Sequence, residues 1–84
     1  GQVVATPGAL EALERYHCNV HSLLQRHSKG DWGDVCAEDA STNEQALQHG
    51  GRVLSSYHLS PECKIWIITE WDRSATTILL PEEY

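Results

Sequence analysis

"RVLSSYHLSPECKIWIITEWDRSATTILL", residues 52–80, decides the fold. Upstream of it apolar residues recur every three or four positions. Within it they recur every second position, among β-branched and aromatic neighbours, which is the pattern of strands. Three runs stand out: "RVLSSYHL" (Arg52 to Leu59), "CKIWIITE" (Cys63 to Glu70) and "ATTILL" (Ala75 to Leu80). The links "SPE" and "EWDRS" have hairpin length and turn composition. The run therefore predicts a three-stranded antiparallel meander. The middle run places Ile65, Ile67 and Thr69 on one face and Lys64, Trp66, Ile68 and Glu70 on the other. Both faces carry apolar residues, so a helix or a second subunit is expected to cover Trp66.

Working back toward the N-terminus, the period is helical. Thr6 caps and Pro7 opens a helix reaching about Tyr16, with Ala9, Leu10 and Leu13 on one face. Asn19 caps a second, in which Val20, Leu23, Leu24 and His27 form one stripe; Lys29 and Gly30 suit its end. A third runs from about Glu38 to His49, with acidic residues at its start and Gly50-Gly51 at its close. Three helices and then three strands give an α+β domain, helices on one face of the sheet. At 84 residues the chain makes a single domain, 1–84.

Composition narrows the function classes. Twelve acidic against six basic side chains give a net charge of −6, which argues against a nucleic-acid-coating protein. No apolar run reaches the length of about 18 residues that a membrane helix needs. The opening "GQVVATPGALEAL" lacks the basic and apolar regions of a secretory signal. Cys18, Cys36 and Cys63 are an odd number and cannot all pair, so a reducing, cytoplasmic compartment is expected. His17, Cys18 and His21 lie close together, yet no CxxC pair accompanies them. Neither a metal nor a cofactor is expected.

Three stretches could carry chemistry. In "HSKGDWGD", residues 27–34, Gly30 ends a helix, Trp32 anchors the loop and Asp34 caps the next element, or else the loop rims a site containing His27. In "TEWDRSATT", residues 69–77, Asp72 makes an Asx turn and Arg73 pairs with Glu70, or else Arg73 clamps an anion. In "RVLSSY", Arg52 either pairs with Asp34 or Glu70 or stabilises a developing phosphate charge.

The blocks "HSKGDWGD", "GGRVLSSYHL" and "KIWIITEWDRSATTILLPEEY", with "VVATPGALEAL" before them, span nearly the whole chain. In these blocks the chain resembles a family of small "plasmid-related" or hypothetical proteins encoded in bacterial plasmids, integrons and other mobile elements. The resemblance implies an accessory role and no particular reaction. An accessory role points to a protein-interaction module, a dimer through its sheet or a binder of another protein. Its contact residues would be Trp32, Asp34, Tyr57, Trp71 and Arg73, with Trp71 exposed at a hairpin tip. Two alternatives stay open. The layout is similar to that of the barnase/RelE-like small ribonucleases, in which case His27, Arg52, Glu70 and Thr77 would be catalytic. The other is an acidic nucleic-acid mimic that inhibits a defence enzyme through Asp31, Asp34, Glu38, Asp39 and Glu44.

Overall fold

The computed structural model describes residues 2–84. The elements in order are β1 (Gln2–Ala5), α1 (Pro7–Arg15), α2 (Val20–Ser28), α3 (Ala37–His49), β2 (Val53–Ser60), β3 (Cys63–Thr69), β4 (Ala75–Leu79) and a closing 3₁₀ turn at Pro81–Glu83. The expected three-stranded antiparallel meander is corrected: the sheet has four strands in the order β1-β4-β3-β2. β2, β3 and β4 form the antiparallel part, and β1 joins β4 in parallel. The added strand is four residues long and lies directly before a helix cap, and its partner lies some seventy residues downstream. Nothing local in "QVVA" marks it as paired.

Local chemistry sets the helix ends. Thr6 Oγ1 accepts the Ala9 N–H at 3.2 Å with Pro7 at the first position, and Asn19 Oδ1 accepts the His21 N–H at 2.9 Å. The chain leaves α2 through Gly30 at φ 84° and α3 through Gly50 at φ 83°, left-handed conformations that glycine adopts without a steric penalty. Asp34 does not cap α3. The N-cap is Cys36, which makes no side-chain cap bond.

α1 and α2 lie on one face of the sheet. Ala9, Leu13 and Leu23 pack there against Tyr57, Ile65, Ile67 and Ile78. α3 lies beside β2 and closes a smaller cluster of Trp32, Ala46 and Val53. On the opposite face the C-terminus does the covering. The Tyr84 ring meets Trp66 edge-on at 5.8 Å, and Arg52 Nη1–H donates to the Tyr84 hydroxyl at 2.7 Å.

Candidate functional site

One transverse row of the sheet holds the site. The strand registers align Val3 with Thr76, Thr76 with Thr69, and Thr69 with Val53, so these four side chains line up across all four strands on the helix-bearing face. At about 4.8 Å per strand the row is about 14 Å long. It floors a cavity of about 550 Å³. The end of α2 supplies one wall with Leu24, His27 and Lys29, and Trp32 continues it; α3 supplies Glu44 and Leu47; Arg73 lies on the lining from the β3–β4 turn. The volume lies within the range of about 300–1,000 Å³ common for small-molecule pockets.

His27 is the polar centre of this floor. It sits on the stripe of α2 that faces the sheet and is buried, 7% exposed. Nδ1 lies 2.5 Å from Ser55 Oγ, and Nε2 lies 2.8 Å from Thr69 Oγ1. Thr69 Oγ1 in turn lies 3.0 Å from Thr76 Oγ1. Burial pushes the imidazole below its ordinary pKa, and the nearby Arg73 charge pushes it the same way. The ring is therefore neutral at pH 7, with one nitrogen donating and the other accepting. This gives the relay two directions. When Ser55 donates to Nδ1, Nε2–H donates to Thr69, Thr69 donates to Thr76, and the Thr76 hydroxyl proton is left for the cavity. In the reverse sense Thr76 donates inward and presents lone pairs to the cavity.

The arrangement is poor for acid–base catalysis at His27. Both ring nitrogens are engaged, and Ser55, the nearest potential nucleophile, is fully buried. Nor do the residues of a ribonuclease converge. His27 points from α2 onto the helix-bearing face of the sheet. Arg52 and Glu70 pair at 3.5 Å on the opposite face, beside Tyr84, and Thr77 alternates to that same face.

The expected contact residues divide. Trp71 is exposed at the β3–β4 tip, 70% accessible. Trp32 and Tyr57 are interior, so neither presents a surface to a partner. Trp32 meets His27 edge-on at 5.8 Å, and its Nε1–H is buried without an acceptor among the described residues. Tyr57 donates to the Asp31 carbonyl at 2.6 Å beneath the Arg26 guanidinium, 4.5 Å above its ring. Asp34 accepts from His58 Nδ1 at 2.6 Å, and that bond holds its carboxyl below the usual carboxylate range. Arg73 has left-handed backbone, φ 62°, and its guanidinium is turned to carbonyls: Gly51 O at 2.6 Å, Glu70 O at 3.2 Å and Ala46 O at 3.3 Å. It does not pair with the Glu70 carboxylate, which takes Arg52 instead. The acidic residues of the mimic reading are dispersed in role. Asp31 binds Arg26 at 2.7 Å, Asp34 binds His58, Glu44 lines the cavity, and Glu38 and Asp39 start α3.

"GDWGD" has a further role that turn composition did not reveal. Ser56 N–H donates to the Trp32 carbonyl at 3.0 Å, and Asp34 N–H donates to the Ser56 carbonyl at 2.7 Å, so the loop pairs along β2. Two positions back along the strand, Asn43 of α3 receives the Leu54 N–H at 3.0 Å and donates to the Leu54 carbonyl at 2.7 Å. Together they occupy the outward-facing backbone groups of β2 at Leu54 and Ser56. Asn43, Ser55 and Thr76 are not among the site residues expected from sequence; a polar Asn within α3 is a local signal for the first, and only the strand register brings the other two into the His27 relay. Among the described residues, no group of three or more His, Cys, Asp or Glu is placed to hold a metal ion, and no helix is long and apolar enough to cross a membrane. Comparisons with protein-family models, curated proteins and solved structures give no match.

Proposed function

We propose that the protein is a protein-interaction module that takes an extended segment of a partner along the outer edge of β1. The accessory role implied by the resemblance to mobile-element proteins agrees with this reading. The observation that carries it is the contrast between the two sheet edges. The β2 edge is occupied at Leu54 and Ser56. On β1, Gln2 N–H and Thr6 N–H point to β4, at Ser74 O and Ile78 O. By strand alternation Val3 and Ala5 direct their N–H and C=O groups outward. "QVVAT" has no charge, proline or bulge to blunt that edge, and Val3 and Val4 are exposed. Trp71 stands near the same end, because Gln2 is tied to Ser74 at the foot of its hairpin. Main-chain pairing on an open sheet edge is a recurring mode of peptide capture, and an exposed aromatic is a common interface anchor.

Val3→Pro tests this directly. It removes an outward donor and leaves the β4-facing groups of Gln2 and Val4 in place. Peptides selected from a displayed random library on the wild-type chain should bind Val3→Pro at least about tenfold more weakly, the variant's melting temperature being little changed. Equal binding to both proteins would remove β1 as the docking edge.

A further inference from the structure

We infer that the cavity floored by Val3, Thr76, Thr69 and Val53 is a binding site for a small apolar molecule that carries a carboxylate. The inference is independent of partner capture at β1. Most of the lining surface is apolar by area, and Leu24, Trp32, Leu47 and the two valines are its apolar residues. Its charged groups run against the rest of the molecule. The chain has twice as many acidic as basic side chains, whereas the lining has two cations, Lys29 and Arg73, against the single carboxylate of Glu44. Among the described residues, neither cation has a carboxylate within ion-pair distance.

Arg73 is held for this role. Three carbonyls take both Nη1 protons and one of those on Nη2, which fixes the guanidinium without neutralising it. Nε–H and one Nη2–H have no protein acceptor among the described residues. A planar fork with two donors to spare suits a carboxylate. The Arg73 charge already reaches the cavity floor, where it disfavours protonation of His27. An anion seated there also selects one direction of the hydroxyl relay. Ser55 donates to His27, His27 to Thr69, and Thr69 to Thr76, so the Thr76 proton faces the ligand. The apolar tail would lie along the Leu24, Trp32 and Leu47 walls.

The probe pair is octanoate and octanamide, equal in length and unequal in charge, titrated into the intact chain and monitored by backbone and indole N–H chemical shifts. Octanoate should saturate, with shifts gathered at Thr69, Thr76, Leu47 and Trp32, and octanamide should bind about tenfold or more weakly. Lys29→Gln should weaken octanoate about threefold to tenfold, and Leu47→Asp, at an exposed position, by at least about tenfold. Glu44→Gln should tighten it about twofold to fivefold. These variants avoid Arg73, whose loss would also uncap α3, and unchanged melting temperatures would certify their folds. Equal affinity for acid and amide, shifts located elsewhere, or no saturation by about 10 mM would each overturn the inference. None of those outcomes bears on the β1 edge, which is read by peptide binding.

Discussion

An imidazole carried on α2 and held between two sheet hydroxyls must choose between its hydrogen bonds and its charge. His27 keeps the bonds. Burial, helped by the Arg73 charge, depresses its pKa from the ordinary 6.5, while the unfolded chain keeps that ordinary value. Arg73 and Lys29 face the same cavity, and Glu44 is the carboxylate on its lining. Below pH 6.5 the unfolded state therefore binds a proton that the folded state refuses. The stability due to neutral His27 is present in full above pH 6.5 and is lost as pH falls from there through the depressed folded value. Its slope is at most about 1.4 kcal/mol per pH unit. His27→Gln retains a donor and an acceptor but does not titrate. Urea midpoints of wild type and variant should converge between pH 7.5 and 5, with the wild type losing the larger amount. Parallel pH profiles would show that His27 does not carry the dependence.

At the scale of elements, the loop 31–34 and α3 act on one strand. Gly33 has φ 74° and sits where a Cβ would run into the Ser56 carbonyl oxygen and the Tyr57 ring. Gly33→Ala should therefore cost at least about 2 kcal/mol, through backbone strain and a broken bridge to β2. Asn43 is 2% exposed and satisfies both backbone groups of Leu54. Asn43→Leu, close in size, leaves those groups without their partner and should cost about 2–4 kcal/mol in chemical denaturation. A loss under about 0.5 kcal/mol for either variant would mean that the edge contacts are dispensable. The two positions also mark what could be read from sequence. Thr6, Asn19, Gly30 and the period change near residue 52 act through neighbours a few residues away, and the helices and β2 to β4 arise from them. Val3 pairing with Thr76, Asn43 reaching Leu54 and Trp32 joining Ser56 are contacts between distant segments. No local pattern contains them. The same reason separates His27, legible as a sheet-facing residue on α2, from Ser55, Thr69 and Thr76, which become its partners only through the strand register.

At the scale of the whole molecule, an open edge needs something to keep copies apart, and among the described residues the sheet itself supplies nothing. β1 offers outward N–H and C=O groups at Val3 and Ala5, with exposed valines beside them. The remaining defence is long-range. A net charge of −6 on a 9.4 kDa chain makes any two copies repel at pH 7. That repulsion fades as the pH approaches the isoelectric point near 5.2. Light scattering at low ionic strength should find one copy per particle at pH 7.5 and growing self-association near pH 5.2. Added salt at pH 7.5 should produce part of the same effect by screening, since the Debye length falls to about 8 Å at physiological ionic strength. Val3→Pro separates edge pairing from general loss of solubility, because it removes an outward donor without changing the charge. If pairing runs through β1, the variant stays monomeric at both pH values. If instead acid loosens the His27 region and exposes the core, Val3→Pro associates as readily as wild type, and His27→Gln resists. The two variants thus assign any acid-induced association either to the uncovered strand or to the buried histidine.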